Sequence, residues 1–533
     1  MRLTIDGLRD GEALEAAGVV TPAFDVAAMQ ASGRERPRWL HIGPGNIFRV
    51  FLARIAEDLL ASGRHWPIAV VAPRRPTGLD VQLAAHDLLT LSVTLRPDGS
   101  RDLRAVAGVS EGLAVSRPDD RARFLALAAD PGVSLVSLTI TEKGYAVADS
   151  AGDLQEAVTA ASGPRARQGH TMALVASFLL ARYEAGGAPI TLLSCDNFSH
   201  NGDKLRDSVT TIARGWARAG SADEGFPAWI EDPSRVAFPI SVIDKITPRP
   251  SEAVAEALTG LGFTDMGLQA PDRTPLAGFV NTEPTEYLII EDAFAGERPP
   301  LEEAGAQIVA REVCDRFESM KVATCLNPLH TALAIAGCLL RMPTIDAEMR
   351  DPALAALVHR LGWEEGLPVV SDPGVVSPES FLTEVLQTRF TNPYLPDDPA
   401  RIAMDTSQKM PIRFGQTLLR YRDRGLDMGG LRSIPLVIAL WCRYLTGIAD
   451  DGAPFEPSSD PLYDELHAHV AGIRLGEPVD ARRALAPILS DPELFGLDLT
   501  ATPVAGSVEA LFSRLISGPG AVRATLDKET LPQ

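Results

Sequence analysis

The fold is decided by the stretch RWLHIGPGNIFR, residues 38–49. Its first half, Arg38–Ile42, is a short apolar run typical of a buried strand, and the run ends in the glycine turn Gly43–Gly45. Apolar residues at helical spacing then follow over Phe48–Leu60. The order strand, glycine turn, helix is typical of the opening unit of a doubly wound α/β fold.

Further buried strands recur along the chain, with helical stretches between them; they are Ile68–Val71, Val133–Ile140 and Ile190–Ser194. From about residue 310 long helical patterns dominate; they are Leu329–Leu340, Ala353–Leu361, Pro378–Gln387, Pro411–Tyr421, Ile434–Tyr444 and Val508–Ile516. The sequence therefore predicts an α/β N-terminal Rossmann-type doubly wound domain over residues 37–309, preceded by an extension of residues 1–36. A mainly α-helical, substrate-binding C-terminal domain is predicted over residues 310–533.

The composition argues against several classes of function. A formal net charge of −20 over 533 residues argues against a nucleic-acid partner, which requires clustered Lys and Arg. The apolar stretch Ile434–Cys442 is far short of the roughly 20 residues that a membrane span needs, and residues 1–17 lack the apolar core of a signal peptide. Five cysteines without a CxxC pair indicate reduced thiols. We expect a cytoplasmic protein, either a monomer or a weak homo-oligomer.

The glycine turn is a candidate site for the pyrophosphate of a dinucleotide. Glycines let the backbone approach a phosphate, and the start of the following helix offers free N–H groups. The third glycine of the usual fingerprint is absent, because Phe48 occupies its position, so a purely structural turn is an equally good interpretation. The candidate cofactor residues are Gly43, Gly45, Asn46, Ile47, Phe48 and Arg49, of which Arg49 is expected to reach a phosphate.

The end of the second strand bears on the choice of cofactor. The segment Val71–Arg75 contains no acid for the ribose hydroxyls of NAD. Arg74 and Arg75 instead suit a 2′-phosphate, since arginine binds phosphate in bidentate fashion. Two solvated loop arginines explain the pattern equally well, and the sequence leaves both NAD and NADP open.

Polar residues stand out at three places. Asn197 follows the strand Ile190–Ser194, at the sheet edge where open α/β folds bind ligands. A purely structural role for Asn197 as a helix cap is the alternative interpretation. Asp244 lies in an apolar run, either as a satisfied core acid or facing a polar cavity. Lys321 precedes an apolar stretch, where burial lowers the proton affinity of an amine. Asn327, expected as N-cap, and His330 open an apolar helix.

Together the motifs resemble the polyol-specific long-chain dehydrogenases, the mannitol dehydrogenase family. They occur in the family's order over most of the chain: GPGNIFR at 43–49, TITEKGY at 139–145, SCDN at 194–197 with HNG at 200–202, FP…DKITP at 238–248, Lys321 with Asn327 and His330, and RIAMDTSQK at 401–409. Six ordered segments are not plausibly a coincidence. The resemblance implies a metal-independent NAD(P)-dependent oxidoreductase with a small-molecule substrate.

The resemblance also implies a role for each matching residue. Lys321 matches the general acid/base, Asn197 and Asn327 the pair that holds the reacting oxygen, and His330 a histidine that orients the substrate. The remaining matches are substrate contacts at Asp244 and Arg401, a nearby lysine at Lys409, and an acid on the proton route beside the cofactor at Glu142. This chemistry is consistent, because loss of a hydride from a carbinol carbon requires loss of the hydroxyl proton, and amide donors stabilise the alkoxide.

Among family reactions we expect interconversion of D-mannonate and D-fructuronate. The alternatives are a mannitol 2-dehydrogenase, a tagaturonate reductase and, from another class, a non-catalytic dinucleotide sensor. One departure bears on the site: Val322–Leu326 is one residue longer than the family's spacing between lysine and asparagine, and Asn-Pro-Leu-His replaces Asn-Gly-Ser-His. We expect a bulge to absorb the extra residue and keep Lys321 in place.

Overall fold

A computed structural model of the chain describes residues 1–149, 154, 155, 158, 169–271, 273–395 and 397–532. It divides into two compact units, Met1–Cys314 and Asp315–Gln533. Every strand among the described residues lies in the first unit, and the second is built from helices. The predicted order, an α/β domain followed by a mainly helical one, is confirmed.

The strands are β1 (Val19–Val20), β2 (Trp39–Ile42), β3 (Ile68–Ala72), β4 (Thr90–Leu95), β5 (Arg101–Val106), β6 (Val109–Ala114), β7 (Leu135–Leu138), β8 (Ile190–Ser194), β9 (Val236–Ala237), β10 (Ser241–Asp244), β11 (Phe279–Thr282), β12 (Tyr287–Glu291) and β13 (Gln307–Val309). Six of them form a parallel sheet in the order β6-β3-β2-β7-β8-β9. Numbered within that sheet the order is 3-2-1-4-5-6, the Rossmann arrangement. Its switch point lies between β2 and β7, where such folds bind ligands.

Two smaller sheets complete the first unit, in the orders β1-β5-β4-β11 and β10-β12-β13. β1 comes from the predicted extension and pairs in parallel with β5. Leu3 and Leu14 of the extension are fully buried, in a cluster with Leu91 and Phe279. Residues 1–36 therefore contribute to the core of the first unit.

The described helices of the first unit cover both faces of the parallel sheet or pack against the sheet β1-β5-β4-β11. They are Gly11–Ala16, Val26–Glu35, Ala53–Ala61, Thr77–Gln82, Pro118–Ala129, Thr171–Glu184, Asn201–Arg218, Phe226–Glu231 and Glu252–Gly260, with 3-10 turns at Gly7–Arg9, Ala84–His86, Glu142–Tyr145 and Leu301–Ala304 and a π-helical turn at Phe48–Leu52. Leu40 of β2 packs in the layer of Thr171–Glu184, and Trp39 packs on the opposite face with Ala53–Ala61. This alternation follows the two-residue period of a strand.

The helix Arg311–Met320 leads into the second unit, whose other α-helices are Asn327–Leu340, Ile345–Met349, Pro352–Arg360, Pro378–Glu384, Pro399–Ile402, Thr406–Met410, Gln416–Asp423, Ser433–Tyr444, Tyr463–Val470, Ala481–Leu489, Pro492–Phe495, Pro503–Leu515 and Ala521–Thr530. π-helical turns lie at Lys321–Cys325, Leu361–Gly366, Val385–Arg389 and Pro411–Gly415, and 3-10 turns at Leu367–Val369 and Leu499–Ala501. Several helices begin with a capping side chain followed by proline, as where Asp351 accepts from the N–H groups of Ala353 and Leu354.

One helical stretch among the described residues, Arg311–Leu340, has the length and apolar composition of a membrane span. However, 78% of its most apolar window is buried inside the protein. The core helix of a folded domain meets the same criteria, so the stretch is weak evidence for a membrane protein.

Candidate active site

A cavity of about 330 Å³ lies at the carboxyl ends of β2, β3 and β7 in the first unit. Most of its lining residues lie at or directly after the ends of these three strands. They are Gly43, Pro44, Ala72, Pro73, Arg74, Arg75, Thr139, Ile140, Thr141, Lys143 and Gly144, and Thr171 completes the lining. Its position at the switch point of the sheet is the position of a dinucleotide site in this fold. Arg74, Arg75 and Lys143 give the lining positive charge.

The glycine turn is required by its surroundings. Gly43 has φ +113°, and a Cβ there would lie 2.2 Å from the carbonyl oxygen of Thr139. The His41 ring, in β2, links the turn to β7: its Nδ1 lies 2.7 Å from Ser137 Oγ and its Nε2 lies 3.1 Å from the Gly43 carbonyl oxygen. Burial lowers the pKa of His41 to about 3, so its ring is neutral at physiological pH.

Two of the predicted cofactor residues have structural roles instead. Arg49 is fully buried, and its guanidinium donates to Asn46 Oδ1 and to the carbonyl oxygens of Gln82 and Ala277. The prediction that Arg49 reaches a phosphate is wrong in this structure, because its donors point into the protein. Phe48 is also fully buried and stacks on His41 at 4.1 Å, so it packs in the core beneath the turn.

The other predicted cofactor residues lie around the turn. Gly45 is exposed, and Asn46 and Ile47 are half-buried at the start of the helix that follows. Arg74 lines the cavity, and burial, followed by the charge of Arg74, lowers the pKa of His170. Glu142 is exposed and does not line the cavity, although its neighbours Thr141 and Lys143 do.

The SCDN and HNG motifs connect β8 to its neighbours. Asn201 donates through Nδ2 to the carbonyl oxygens of Asp196 and Ser241, and its Oδ1 accepts from the Ser241 N–H. Asn197 is exposed just beyond the end of β8, at the edge of the sheet that carries the cavity. Asp244 is the last residue of β10, is 5% exposed and lies opposite Tyr287 of β12. Both predicted residues therefore lie at strand ends.

Lys321 begins a π-helical turn in the second unit. The turn, Lys321–Cys325, closes when the Leu326 N–H donates to the Lys321 carbonyl oxygen at 3.1 Å, five residues back. A π-turn holds one residue more than an α-turn, so the extra residue before Asn327 is accommodated inside the helix. The Lys321 side chain is only 3% exposed.

Asn327 and His330 open the apolar helix Asn327–Leu340. Leu326, not Asn327, is the N-cap residue, so the predicted helix start is wrong by one position, a common discrepancy at helix ends. The His330 Nε2 atom lies 2.9 Å from Asp397 Oδ2, and its ring lies 5.0 Å from that of Phe390. Burial lowers the pKa of His330, and the charge of Arg413 adds to this effect, although the contact with Asp397 opposes it.

Arg401 and Lys409 lie on the short helices Pro399–Ile402 and Thr406–Met410. Arg401 is largely exposed and forms an ion pair with Asp397. Lys409 donates through Nζ to the carbonyl oxygens of Ile402, at 3.1 Å, and Met404. Burial, and then the charge of Arg413, lower the pKa of Lys409 to about 8. In the second unit Asp397 thus contacts both His330 and Arg401. Asp397 was not predicted from the sequence, because no local pattern distinguishes this aspartate from others.

Among the residues that the structure describes, no three His, Cys, Asp or Glu side chains are grouped so that they could hold a metal ion. None of the five cysteines forms a disulfide, and four of them are buried.

Known proteins share both units of this chain. Residues 37–303 match the mannitol dehydrogenase Rossmann domain, and residues 314–513 match the mannitol dehydrogenase C-terminal domain. A D-mannonate oxidoreductase of Thermotoga maritima is 45% identical over 99% of both chains. The crystal structure of a D-sorbitol dehydrogenase, in substrate-free form, is 26% identical with a TM-score of 0.79, covering 96% of this chain and 97% of that one. The Pseudomonas fluorescens mannitol 2-dehydrogenase, solved as a ternary complex with NAD and D-mannitol, is 26% identical with a TM-score of 0.68, covering 96% of both chains.

The Rossmann order of the sheet, the cavity at its switch point and these similarities define a dehydrogenase that acts on an alcohol group. The chain belongs to the mannitol dehydrogenase family.

Proposed function

We propose that this chain interconverts D-mannonate and D-fructuronate, with a nicotinamide dinucleotide as hydride carrier. The observation that carries the proposal is the 45% identity to the Thermotoga maritima D-mannonate oxidoreductase from one end of the chain to the other. The identity spans both units, and the predicted substrate residues are likewise distributed over both. Inheritance of the substrate class is therefore the simplest interpretation.

The cavity at the switch point fits the proposed cofactor. Gly43 leaves the backbone of its turn free of a side chain, and Arg74, Arg75 and Lys143 offer charge to phosphates. When bound, the nicotinamide accepts the hydride from the carbinol carbon or returns it. The complex of the Pseudomonas fluorescens relative with NAD supports NAD as the cofactor. The two arginines after β3 support use of NADP as well, because the segment has no acid to repel a 2′-phosphate.

The remaining chemistry is assigned to side chains. We assign proton exchange with the substrate hydroxyl to the Lys321 amine, and polarisation of the reacting oxygen to the amides of Asn197 and Asn327. His330 orients the substrate. Asp244, Arg401 and Lys409 contact it, and the two cations suit the carboxylate of a sugar acid. This assignment requires no metal ion.

The substrate is tested by offering the purified chain fructuronate, tagaturonate and fructose, each with NADH and with NADPH, while the absorbance of the reduced nicotinamide is followed. We expect fructuronate to be reduced with the highest kcat/KM. Preferred turnover of fructose would instead identify a mannitol 2-dehydrogenase, a reaction that the structural similarity to that enzyme keeps as the second candidate. Preferred turnover of tagaturonate would identify a tagaturonate reductase. No turnover of any of the three substrates would favour a dinucleotide sensor.

We further propose a cytoplasmic enzyme, since none of its five cysteines forms a disulfide, as is usual in a reducing compartment. We propose that it acts as a monomer or weak homo-oligomer on a small-molecule substrate, without nucleic-acid or membrane partners. Light scattering of the purified chain at several concentrations tests the oligomeric state, and a stable high-order oligomer would contradict it.

A further inference from the structure

Thr141 has a backbone conformation that belongs to glycine. Its φ of 71° and ψ of 151° place it where a Cβ is strongly disfavoured, and a β-branched residue is an outlier there. Asp87, His200, Arg341 and Asp405 also have positive φ, but their ψ values of 36° to 40° put them in the ordinary left-handed region. Such a conformation persists only when the surrounding structure enforces it.

The Asp196 carboxylate holds this segment in place. Its Oδ1 accepts from the Thr141 N–H at 2.8 Å, and both oxygens lie 3.0 Å from the Ile140 nitrogen. Its Oδ2 accepts from the Tyr145 hydroxyl at 2.7 Å, so the carboxylate binds both ends of the turn Ile140–Tyr145. Asp196 is 8% exposed and Tyr145 is fully buried, so water competes little for these bonds.

Asp196 is itself firmly placed. It lies two residues beyond β8, and its carbonyl oxygen accepts from Asn201 Nδ2 at 2.9 Å. The strand β8 pairs in parallel with β7, which leads directly into the segment that Asp196 holds. A residue held at the end of one strand thus determines the path of the loop that leaves the neighbouring strand.

The held segment is one wall of the cavity. Thr139, Ile140, Thr141, Lys143 and Gly144 line it, facing the glycine turn. The two walls are in tight contact at one point, since the Thr139 carbonyl oxygen is where a side chain on Gly43 would lie. A change in the path of the backbone at Thr141 therefore changes the shape of the cavity.

We propose that Asp196 is a positioning residue of the dinucleotide site, which forces Thr141 into a glycine-like conformation so that the segment Thr139–Gly144 forms the wall opposite Gly43. This inference rests on the proposed cofactor site. It assigns to the SCDN motif a second role, carried by Asp196 and distinct from that of Asn197.

The test is a titration of the purified chain with NADH and NADPH, followed by nicotinamide fluorescence in the absence of substrate. For Asp196→Asn we expect the Kd of the preferred cofactor to rise by at least about tenfold, because an amide group cannot accept from all three donors. For Thr141→Gly we expect a Kd within about twofold of wild type, since glycine adopts the conformation without strain. In the double variant glycine no longer needs the carboxylate, so part of the affinity is expected to return.

Asp130→Asn is the matched control, since Asp130 also accepts a backbone N–H, that of Gly132 at 2.8 Å, but precedes β7 at the opposite edge of the sheet. Its Kd should equal that of wild type. A folded Asp196→Asn variant with wild-type Kd would overturn the inference. If that variant does not fold, Thr141→Gly decides alone, because a Kd raised about tenfold would show that the Thr141 side chain matters and not its backbone. Failure of wild type to bind either dinucleotide would refute the proposed cofactor site instead.

Discussion

Asp397 contacts both His330 and Arg401, placing its Oδ2 atom 2.9 Å from His330 Nε2 and pairing through Oδ1 with the Arg401 guanidinium. Burial works to raise the pKa of Asp397, but these two contacts outweigh burial and hold the pKa below its usual value. The carboxylate is therefore charged at neutral pH and fixes two predicted substrate residues from different helices.

Asp397→Asn should lower kcat/KM for the sugar acid by roughly tenfold. This corresponds to a loss of about 1.4 kcal/mol of transition-state stabilisation when the charge-assisted contacts of Asp397 are weakened. The double variant Asp397→Asn with His330→Asn should be little worse than His330→Asn alone, because both changes remove the same interaction. Steady-state kinetics of the three variants measures this coupling.

Asp398→Asn is the control for that experiment. Asp398 caps the helix Pro399–Ile402 by accepting from the Ala400 N–H at 2.9 Å, and asparagine is an equally good cap. Its kinetics should match wild type. Additive losses at positions 397 and 330 would contradict the proposed coupling.

Lys409 predicts a pH dependence of substrate binding. Because burial and then Arg413 lower its pKa to about 8, the amine loses its charge as the pH rises through that value. KM for a carboxylate substrate should rise by roughly tenfold between pH 7 and pH 9.5, whereas KM for an uncharged sugar should change much less. The measurement is KM for both substrates across this range.

The arginine in Lys409→Arg keeps its charge between pH 7 and pH 9.5. In this variant KM for the carboxylate substrate and KM for the uncharged sugar should therefore change with pH in the same way. A carboxylate KM that is independent of pH in wild type would show that Lys409 does not bind the carboxylate.

Glu348 predicts a pH dependence of stability. Its side chain is fully buried, and neither carboxylate oxygen has a hydrogen-bond partner within the described ranges. Burial, and then the charges of Asp397 and Asp346, raise its pKa to about 9. The folded chain thus keeps this proton above pH 4.5 while the unfolded chain releases it, so stability falls as the pH rises towards 9.

Between pH 5 and pH 8 this group costs on the order of 4 kcal/mol of unfolding free energy. Glu348→Gln removes the titration, so its stability relative to wild type should increase steadily over that interval. Denaturant unfolding at pH 5, 6.5 and 8 measures the difference. A constant difference would mean that Glu348 is ionised in the folded chain.

Lys321→Ala tests the assigned base. The loss of a general acid/base lowers kcat by about 10²- to 10⁴-fold, while the Kd for the dinucleotide should stay near that of wild type. Addition of small primary amines should restore part of the turnover, which loss of folding would not allow. Lys204→Ala is the control, since Lys204 is an exposed residue in the first turn of Asn201–Arg218, and this variant should be fully active. Wild-type turnover in Lys321→Ala would exclude it as the base.

Much of the fold is readable from local patterns. The strand at Trp39–Ile42, the turn at Gly43 and the apolar helices after residue 320 appear in the structure close to where hydrophobic spacing and glycine predict them. Local spacing suffices here because a helix or strand reflects the burial of its own face, and a turn with positive φ selects glycine wherever it occurs. Order along the chain was likewise enough to indicate the family.

The site depends on contacts between residues far apart in sequence. Arg49 follows the turn as a phosphate-binding residue would, yet its guanidinium donates to Ala277, 228 positions away. Asp196 holds Thr141 across 55 positions, and Asp397 contacts His330 from the loop before the helix Pro399–Ile402. A side chain's role depends on which partners the packed chain brings within hydrogen-bond reach, and that proximity carries no local signature. The patterns of the sequence thus predicted the elements and the chemistry-bearing residue types, while packing decided which charges are buried, paired or presented to a ligand.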